Sequence, residues 1–272
     1  MNAAADSSAR IKCSVAIASG KGGVGKSTVA VNVAVVLAQD GASVGLLDAD
    51  VYGPNCHIML GVDKLPPPRG KTMIPAVAHG VNVISMGLLV GPHQPLAWRG
   101  PMLHSAIRQF VDDVEWGDLD FLIVDLPPGT GDAQLSVAQT ISLSGGFIVT
   151  LPQAVSLADA RRGLELFRQL QVPVLGVIEN MSYLSTPDGL RVDVFGQGGG
   201  ERLAEDTSVA FLGQIPLDPA VRIGGDEGTP IVVAAPDSES AMALRNIATT
   251  IAEKSRAQSQ EQPTSIPIEV IE

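Results

Sequence analysis

Cysteine, aromatic residues and basic charge are all scarce in this chain of 272 residues. Its two cysteines, Cys13 and Cys56, lie far apart in sequence and give no disulfide framework, which fits a reducing compartment. Only 18 basic residues stand against 29 acidic ones, and the net charge of -11 repels phosphate backbones and anionic lipid headgroups. Aromatic residues, at 4%, are too few for a base-stacking platform. We therefore expect neither nucleic acid nor a membrane as the main partner.

Long apolar runs are also missing. No stretch approaches the ~20 residues that cross a bilayer, and Met1–Arg10 has no apolar signal-peptide region, so we expect a cytoplasmic protein. The hydrophobic content of 45% is enough for one large core. We predict an extension over 1–10, one domain over 11–254 and a mobile polar tail over 255–272, whose apolar residues 266–271 leave docking open.

Strand-like apolar runs alternate with helical patterns along most of the chain, which predicts βαβ units. The predicted fold class is α/β, a doubly wound, mostly parallel sheet with helices on both faces. The predicted strands span 14–18, 43–47, 81–85, 121–124, 146–150, 174–178 and 210–214. The predicted helices span 26–39, 101–113, 132–143, 156–170 and 237–253. Segments 65–72 and 196–200, rich in proline or glycine, are predicted loops.

A glycine-rich segment joins the first predicted strand to the first predicted helix, and it fits the phosphate-loop pattern G-x-x-x-x-G-K-[ST]. Glycines let successive N–H groups point at phosphate oxygens, and the helix adds its positive N-terminal end. We expect Lys26 to reach the β- and γ-phosphates of ATP and Ser27 to ligate Mg²⁺. A tight strand-to-helix turn is the alternative, but such a turn has no use for two lysines. The predicted nucleotide-binding residues here are Gly20, Lys21, Gly22, Gly23, Val24, Gly25, Lys26, Ser27 and Thr28.

Carboxylates end two other predicted strands, at the same edge of the sheet as the phosphate loop. Asp48 and Asp50 follow the second strand, while Asp125 ends an apolar run in the Walker B arrangement that delivers an acid to the Mg²⁺ shell. Asp50 has an alternative role as a helix N-cap. Asp132 follows a stiff stretch rich in proline and glycine, and it suits a helix cap as well as a ligand contact.

The second lysine, Lys21, makes the loop resemble the deviant Walker A motif of the superfamily that contains MinD, ParA, the nitrogenase iron protein and the arsenite-pump ATPase. This resemblance implies a homodimer in which Lys21 reaches across to the partner's nucleotide; a solvated loop charge is the alternative. It also implies that Asp50 orients the attacking water, that Asp48 lies near the metal, and that Lys26 with Mg²⁺ neutralises the transferring phosphoryl group.

The same resemblance places the adenine pocket later in the chain. It implies that Asn180 contacts the base edge and that the segment around Pro216 and Asp218 packs against the ring. From the residues alone, Asn180 is equally suited to be a strand-end turn residue.

Longer strings narrow the resemblance to the Mrp (ApbC-like) ATPases, a family of iron-sulfur cluster carriers. The strings span residues 48–55, 98–102, 116–132, 179–183 and 195–200. The likeness runs from about Ile11 to Glu253. It implies a slow Mg-ATPase that works as a homodimer, with iron-sulfur assembly or client proteins as its partners.

The chain departs from that family at its cluster ligands. Cluster-carrying members have a Cys-x-x-Cys where Thr186 and Gly189 stand here, and neither residue binds iron as a thiolate does. Strand length puts Cys13 and Cys56 at opposite edges of the sheet, about 20 Å apart, so they cannot share one cluster within a chain. Each cysteine is expected to be a small buried hydrophobe. An iron-sulfur cluster is thus implied by the family while its ligands are missing.

Other functions stay open beside an ATPase in cluster assembly or delivery. The missing Cys-x-x-Cys favours a nucleotide-dependent switch that holds a protein partner without a cluster of its own. Positioning on membrane or DNA would require a basic face or a basic amphipathic helix, and a metabolic kinase would need an acceptor site that cannot be recognised. The histidines lack metal-binding spacing and are expected on the surface or in loops: His57, His79, His93 and His104.

Overall fold

The computed structural model describes residues 11–89 and 100–261, and a parallel sheet forms its centre. The sheet strands are β1 Ile11–Ser19, β2 Val44–Asp48, β3 Ala76–Ala78, β4 Val81–Ser85, β5 Leu119–Asp125, β6 Gly145–Thr150, β7 Val174–Glu179 and β10 Phe211–Gln214. Their order is β10-β7-β6-β1-β5-β2-β4-β3. A separate antiparallel hairpin pairs β8 Leu184–Ser185 with β9 Arg191–Val192.

All seven predicted strands are present, and every pairing among them is parallel. The predicted doubly wound, mostly parallel sheet is therefore confirmed. Strand β3, which the sequence did not predict, pairs antiparallel with β4 at one edge. It has three residues, of which only Ala76 is buried, so it is too short to show a strand periodicity.

The helices pack on both faces of the sheet. They are α1 Lys26–Gln39, α2 Cys56–Met59, α3 Met86–Leu89, α4 Gly100–Asp112, α5 Asp132–Thr140, α6 Ala154–Gln169, α7 Gly199–Thr207, α8 Pro219–Asp226, α9 Ile231–Ala234 and α10 Glu239–Glu261. Alternate residues of β1 serve the two faces: Val15 and Ile17 belong to the core with α1 and α10, whereas Ala16 and Ala18 belong to the core with α4, α5 and α6. Helix α1 is apolar almost all round because it lies between the sheet and α10.

The predicted loop 196–200 is wrong in its last two residues, which begin α7. Gly198 has a left-handed backbone with φ of 63°, and this conformation sets the start of the helix. The N–H of Gly200 donates to Glu179 Oε2 at 2.6 Å, and a Cβ at this position would crowd that glutamate. The glycines that resemble a loop in sequence therefore allow a helix to approach β7 closely.

The predicted tail is also wrong at its beginning, because α10 continues to Glu261. Ser255 is fully buried, and its carbonyl accepts a 3.7 Å contact from Cys13 Sγ at the start of β1. Ser259 Oγ donates to the same sulfur at 3.3 Å. These contacts with the sheet hold the added turns of helix. The extension 1–10, the rest of the tail, His93 and residues 98–99 lie outside the described residues.

One edge of the sheet collects the functional segments. Asp48 at the end of β2 and Asp125 at the end of β5 are direct neighbours in register. Ile17 of β1 pairs with the same Asp125, and the phosphate loop leaves β1 two residues later. Within the described ranges, no helix has the length and apolarity needed to cross a membrane.

Candidate nucleotide and metal site

The phosphate loop connects β1 directly to α1, as predicted. Gly25 has φ of 83°, a conformation that favours glycine, and a Cβ there would collide with the Asn180 side-chain amide. The loop surrounds a cavity of about 220 Å³ that is also lined by Asp50 and Pro128. Lys21 lines the same cavity and is half-buried. The cavity therefore lies within the phosphate loop, at the N-terminus of α1.

Lys26 makes the central ion pair of the site. Its Nζ lies 2.7 Å from Asp125 Oδ1, 3.2 Å from Ser27 Oγ and 4.0 Å from Asp50 Oδ2. Burial by itself lowers the pKa of Lys26, but the nearby carboxylates, above all Asp125, outweigh it and raise the pKa. Lys26 is therefore held as a cation by acids that a nucleotide's phosphates would replace.

Asp125, the last residue of β5, connects this strand to the phosphate loop. Its Oδ2 accepts a 2.6 Å hydrogen bond from Ser27 Oγ, and it is fully buried. Among the described residues its Oδ1 has no hydrogen-bond donor of good geometry, so the ion pair with Lys26 is what compensates that oxygen. The predicted metal ligands Ser27 and Asp125 are thus in direct contact.

Asp48 is the more deeply buried of the two acids after β2. Its Oδ2 accepts from Ser85 Oγ at 2.8 Å and from the N–H of Cys56 at 3.1 Å, and its Oδ1 accepts from the N–H of Asp50 at 3.2 Å. Burial, followed by repulsion from Asp125, raises the pKa of Asp48 to about 7. Asp48 therefore holds Cys56, the first residue of α2, beside Asp125.

Asp50 points one oxygen at the following turn and the other at the phosphate loop. Oδ1 accepts from the N–H groups of Tyr52 and Gly53 at 3.0 and 3.2 Å, while Oδ2 is the atom 4.0 Å from Lys26. The alternative of a helix N-cap is wrong, because α2 begins at Cys56 with Asn55 at the cap position. The water-orienting role of Asp50 stays a prediction.

Asp132 does not occupy the cap position either. Helix α5 begins at Asp132, and its N-cap is Gly131, with no side-chain capping bond. Asp132 therefore lies in the first helical turn, where the positive N-terminal end of the helix stabilises a carboxylate.

Cys56 is part of the polar cluster, and the expectation of a mere buried hydrophobe is wrong for it. Its Sγ donates to Asp125 Oδ2 at 3.5 Å, and the ligand atoms of Asp48, Cys56 and Asp125 lie within 4.8 Å of one another. Burial, together with both carboxylates, raises the pKa of the thiol well above its ordinary value. The sequence signal was its position, six residues after Asp50 in the same segment. Cys13 lies far from this cluster, because it pairs with Phe121, four residues before Asp125 on β5.

The histidines differ in part from the expectation. His57 lies in α2, half-buried, with Nδ1 3.1 Å from Ser85 Oγ, and burial lowers its pKa while Asp63 partly opposes the change. Ser85 Oγ uses its proton on Asp48 and accepts from the N–H of Gly87 at 3.1 Å. Nδ1 of His57 is therefore the donor to Ser85. This histidine lies in a helix and holds Ser85, a member of the acid cluster's hydrogen bonds, so it is not the surface or loop residue that was expected. His79 is half-buried in a turn, and exposed His104 lies in α4.

The predicted base-pocket residues do lie together, around a cavity of about 470 Å³. It shares Thr28, Asn55 and Met59 with the phosphate cavity, so the two are continuous. Other lining residues are Asn180, Met181, Ile215, Pro216, Leu217, Asp218 and Val221. A long cavity that runs from a phosphate loop to an apolar pocket has the shape of a nucleotide site.

Two polar side chains of this pocket, Asn180 and Asp218, make hydrogen bonds that hold its walls in place. Asn180 Nδ2 donates to the carbonyl of Val24 at 2.8 Å, which ties the end of β7 to the phosphate loop. Asp218 caps α8 through the N–H of Ala220 at 2.8 Å, and its other oxygen accepts from Ser240 Oγ at 3.0 Å. Asn180 is therefore more than a turn residue, while contacts of Asn180 and Asp218 with a base stay predictions.

The segment that replaces the family's Cys-x-x-Cys is a closed turn between β8 and β9. The carbonyl of Thr186 accepts from the N–H of Gly189 at 2.9 Å, and its Oγ1 accepts from the N–H of Leu190 at 3.1 Å. Gly189 has φ of 82°. The turn is stabilised by a hydroxyl and offers no thiolate, so an iron-sulfur cluster does not fit the residues present.

Fold and phosphate loop together define a P-loop NTPase with a MinD-like sheet. A nucleotide-binding protein from Archaeoglobus fulgidus, solved with ADP, superposes with a TM-score of 0.74 at 35% identity and covers 84% of this chain and 90% of its own. The cell division ATPase MinD of Pyrococcus furiosus gives a TM-score of 0.67 at 25% identity, over 89% of this chain and 99% of its own.

Within this class the chain belongs to the ParA family of NUBPL-type iron-transfer P-loop NTPases, whose family model matches residues 10–252. It is 56% identical to the iron-sulfur cluster carrier protein of Synechocystis over 252 residues, 90% of this chain and 71% of that protein. The protein of the same name from Deinococcus radiodurans is 53% identical over 262 residues, 95% of this chain and 74% of that protein. The resemblance inferred from the longer strings is confirmed.

Proposed function

We propose that the protein binds ATP with Mg²⁺ at this site, hydrolyses it slowly, and acts as a cytoplasmic homodimer in iron-sulfur cluster assembly or transfer. The observation that carries the proposal is the convergence of Lys26, Ser27 and Asp125 inside a phosphate loop that opens into an apolar pocket. The names of the Synechocystis and Deinococcus relatives support the cluster role.

The residues present fit a Mg²⁺ ion. Three buried acids, Asp48, Asp50 and Asp125, surround one buried lysine, and Ser27 Oγ already contacts the Asp125 carboxylate. Such a site is short of positive charge and rich in the oxygen ligands that Mg²⁺ takes. Bound Mg²⁺ would supply charge neutralisation for the transferring phosphoryl group.

The protein's own groups divide the remaining tasks. In the free protein the Lys26 ammonium is paired with the Asp125 carboxylate. The phosphate oxygens of a nucleotide compete for the same ammonium, so phosphate binding draws Lys26 away from Asp125. Asp50 presents Oδ2 towards the phosphate cavity, where it orients the attacking water. Lys21 acts across the dimer on the partner's nucleotide.

The alternative is a nucleotide-dependent switch that holds a protein partner without a cluster of its own. The closed turn at Thr186 and Gly189 favours it, because that turn contains no metal ligand of the thiolate kind.

Anaerobic reconstitution with iron and sulfide separates the two functions. We expect the protein to bind ATP but to hold no stable [4Fe-4S] cluster at the hairpin, since a dimer has only Cys13 and Cys56 from each chain. Thr186→Cys combined with Gly189→Cys restores the family spacing and is the matched gain-of-ligand control. The left-handed backbone at Gly189 adds about 1 kcal/mol of strain to it.

Four outcomes are informative. Stoichiometric iron and sulfide in the parent protein, with a visible band that survives Cys56→Ser, would show that other ligands are in use and that the expectation is wrong. A band that is lost with Cys56→Ser would support a labile cluster held by paired Cys56 residues. No iron in the parent, but iron in the double variant, favours the switch. Absence of ATP binding would refute the nucleotide site itself.

A further inference from the structure

A thiol lies inside the group of acids that a nucleotide's metal ion approaches. Cys56 Sγ is 3.5 Å from Asp125 Oδ2, the same oxygen that accepts the 2.6 Å hydrogen bond from Ser27 Oγ. Sγ and carboxylate oxygens of Asp48 and Asp125 all lie within 4.8 Å of one another, and all three residues are buried. A metal ion that contacts Ser27 and Asp125 is therefore within reach of the sulfur.

Helix α2 fixes this thiol in place. The N–H of Cys56 donates to Asp48 Oδ2 at 3.1 Å, and the same oxygen accepts from Ser85 Oγ at 2.8 Å. His57 contacts Ser85 Oγ from the next position of the helix. Sulfur and carboxylate are thus positioned by one connected set of hydrogen bonds, as ligands of metal sites are.

The kind of metal follows from the ligand set. Mg²⁺ prefers oxygen ligands and gains nothing from a nearby sulfur. Thiolate, by contrast, favours softer dications such as iron(II), cobalt(II) and zinc(II), all of which also accept carboxylate. One sulfur among carboxylates therefore changes which ion the site selects.

We propose that Cys56 is a ligand of the nucleotide-linked metal site and that this site binds, besides Mg²⁺, a thiophilic dication that competes with Mg²⁺ for it. The ion replaces the thiol proton, which leaves to solvent, and the sulfur coordinates as a thiolate. Lys26 links this binding to nucleotide, because its Nζ is 2.7 Å from Asp125 Oδ1 until phosphates draw it away. The inference rests on the proposed nucleotide site.

Cobalt(II) is the probe, because a cobalt-thiolate bond gives a charge-transfer absorption band that cobalt bound by oxygen alone does not give. The full-length chain, freed of metal and kept without oxygen, is titrated with cobalt(II) in the presence and absence of ADP. We expect one thiolate-bound cobalt per chain with ADP and a much weaker band without it. Cys56→Ser should abolish the band and lower the ratio of cobalt to magnesium affinity about tenfold or more.

Cys13→Ser is the matched control, since Cys13 is the other buried cysteine and lies at the far end of β1. It should keep the band. Cys56→Ala is a second variant, and the thermal unfolding transition shows that each variant is folded.

Two results overturn the inference while leaving the nucleotide site intact: ADP bound with magnesium but no cobalt-thiolate band in the parent, or a band that persists in Cys56→Ser. If ADP binds with neither metal, the proposed function fails as well.

Discussion

Replacement of Lys26 by methionine removes the cation from the buried acids while keeping a long side chain. The Lys26 and Asp125 side chains are 6% and 0% exposed, and their charged atoms are 2.7 Å apart. Removal of one partner from such a pair costs about 3–5 kcal/mol, because the other charge stays buried without compensation. We expect Lys26→Met to lower the free energy of unfolding by about 3 kcal/mol, the lower end, because Ser27 still donates to Asp125.

Chemical and thermal unfolding of the nucleotide-free protein at pH 8 measures this loss. For a domain of this size, about 3 kcal/mol corresponds to a fall in Tm of roughly 6–12 °C. Lys21→Met is the matched control from the same loop, and we expect it to change stability by less than about 0.5 kcal/mol. Asp125→Asn in the Lys26→Met background should recover most of the loss, because it removes the fully buried carboxylate with which Lys26 makes its shortest ion pair.

Equal stability of Lys26→Met and the parent would refute the ion-pair reasoning. The variant should also lose measurable ATP binding, since backbone donors alone must then hold the polyphosphate. Unchanged affinity for ATP with Mg²⁺ would remove Lys26 from the nucleotide site, whatever its effect on stability.

Three further outcomes are expected. Asp50→Asn should keep ATP binding but slow hydrolysis, and equal turnover in the two proteins would exclude the water-orienting role. Mixed dimers of Lys21→Ala and Asp50→Asn chains should recover hydrolysis in about half of their sites if the two residues act on one nucleotide from opposite chains; no recovery in proven mixed dimers would place both in one chain. The folded-state pKa of Asp48 is about 7, above the ordinary 3.8, so the folded protein binds the extra proton between these values. Its stability without nucleotide should therefore fall as the pH rises from 4 to 7, and Asp48→Asn should lose that slope; an unchanged slope would contradict the assignment.

Local patterns were enough for the parts of the site that lie on one continuous segment. The phosphate loop was predictable because its glycines, Lys26 and Ser27 stand between a strand and a helix in the order that phosphate binding needs. The meeting of Asp48 and Asp125 was predictable too, because parallel strands present their carboxyl ends at one edge. Sequence patterns also revealed the missing thiolates at Thr186 and Gly189.

Other features depend on which segments the fold brings together. Cys56 becomes part of the acid cluster because α2 turns back towards β5, a distance of 69 residues along the chain. Ser85 joins it from β4 and contacts His57 of the same α2, and no spacing in the sequence relates Ser85 to the other residues.

The end of the chain shows the same division. Polar composition predicted a tail after residue 254, yet α10 continues to Glu261, because Ser255 and Ser259 contact Cys13 at the beginning of β1. Composition and periodicity determined the fold class, the phosphate loop and the edge that carries the acids. Only the tertiary structure decided which buried side chains pair there, because such pairing depends on contacts between segments that are distant in sequence.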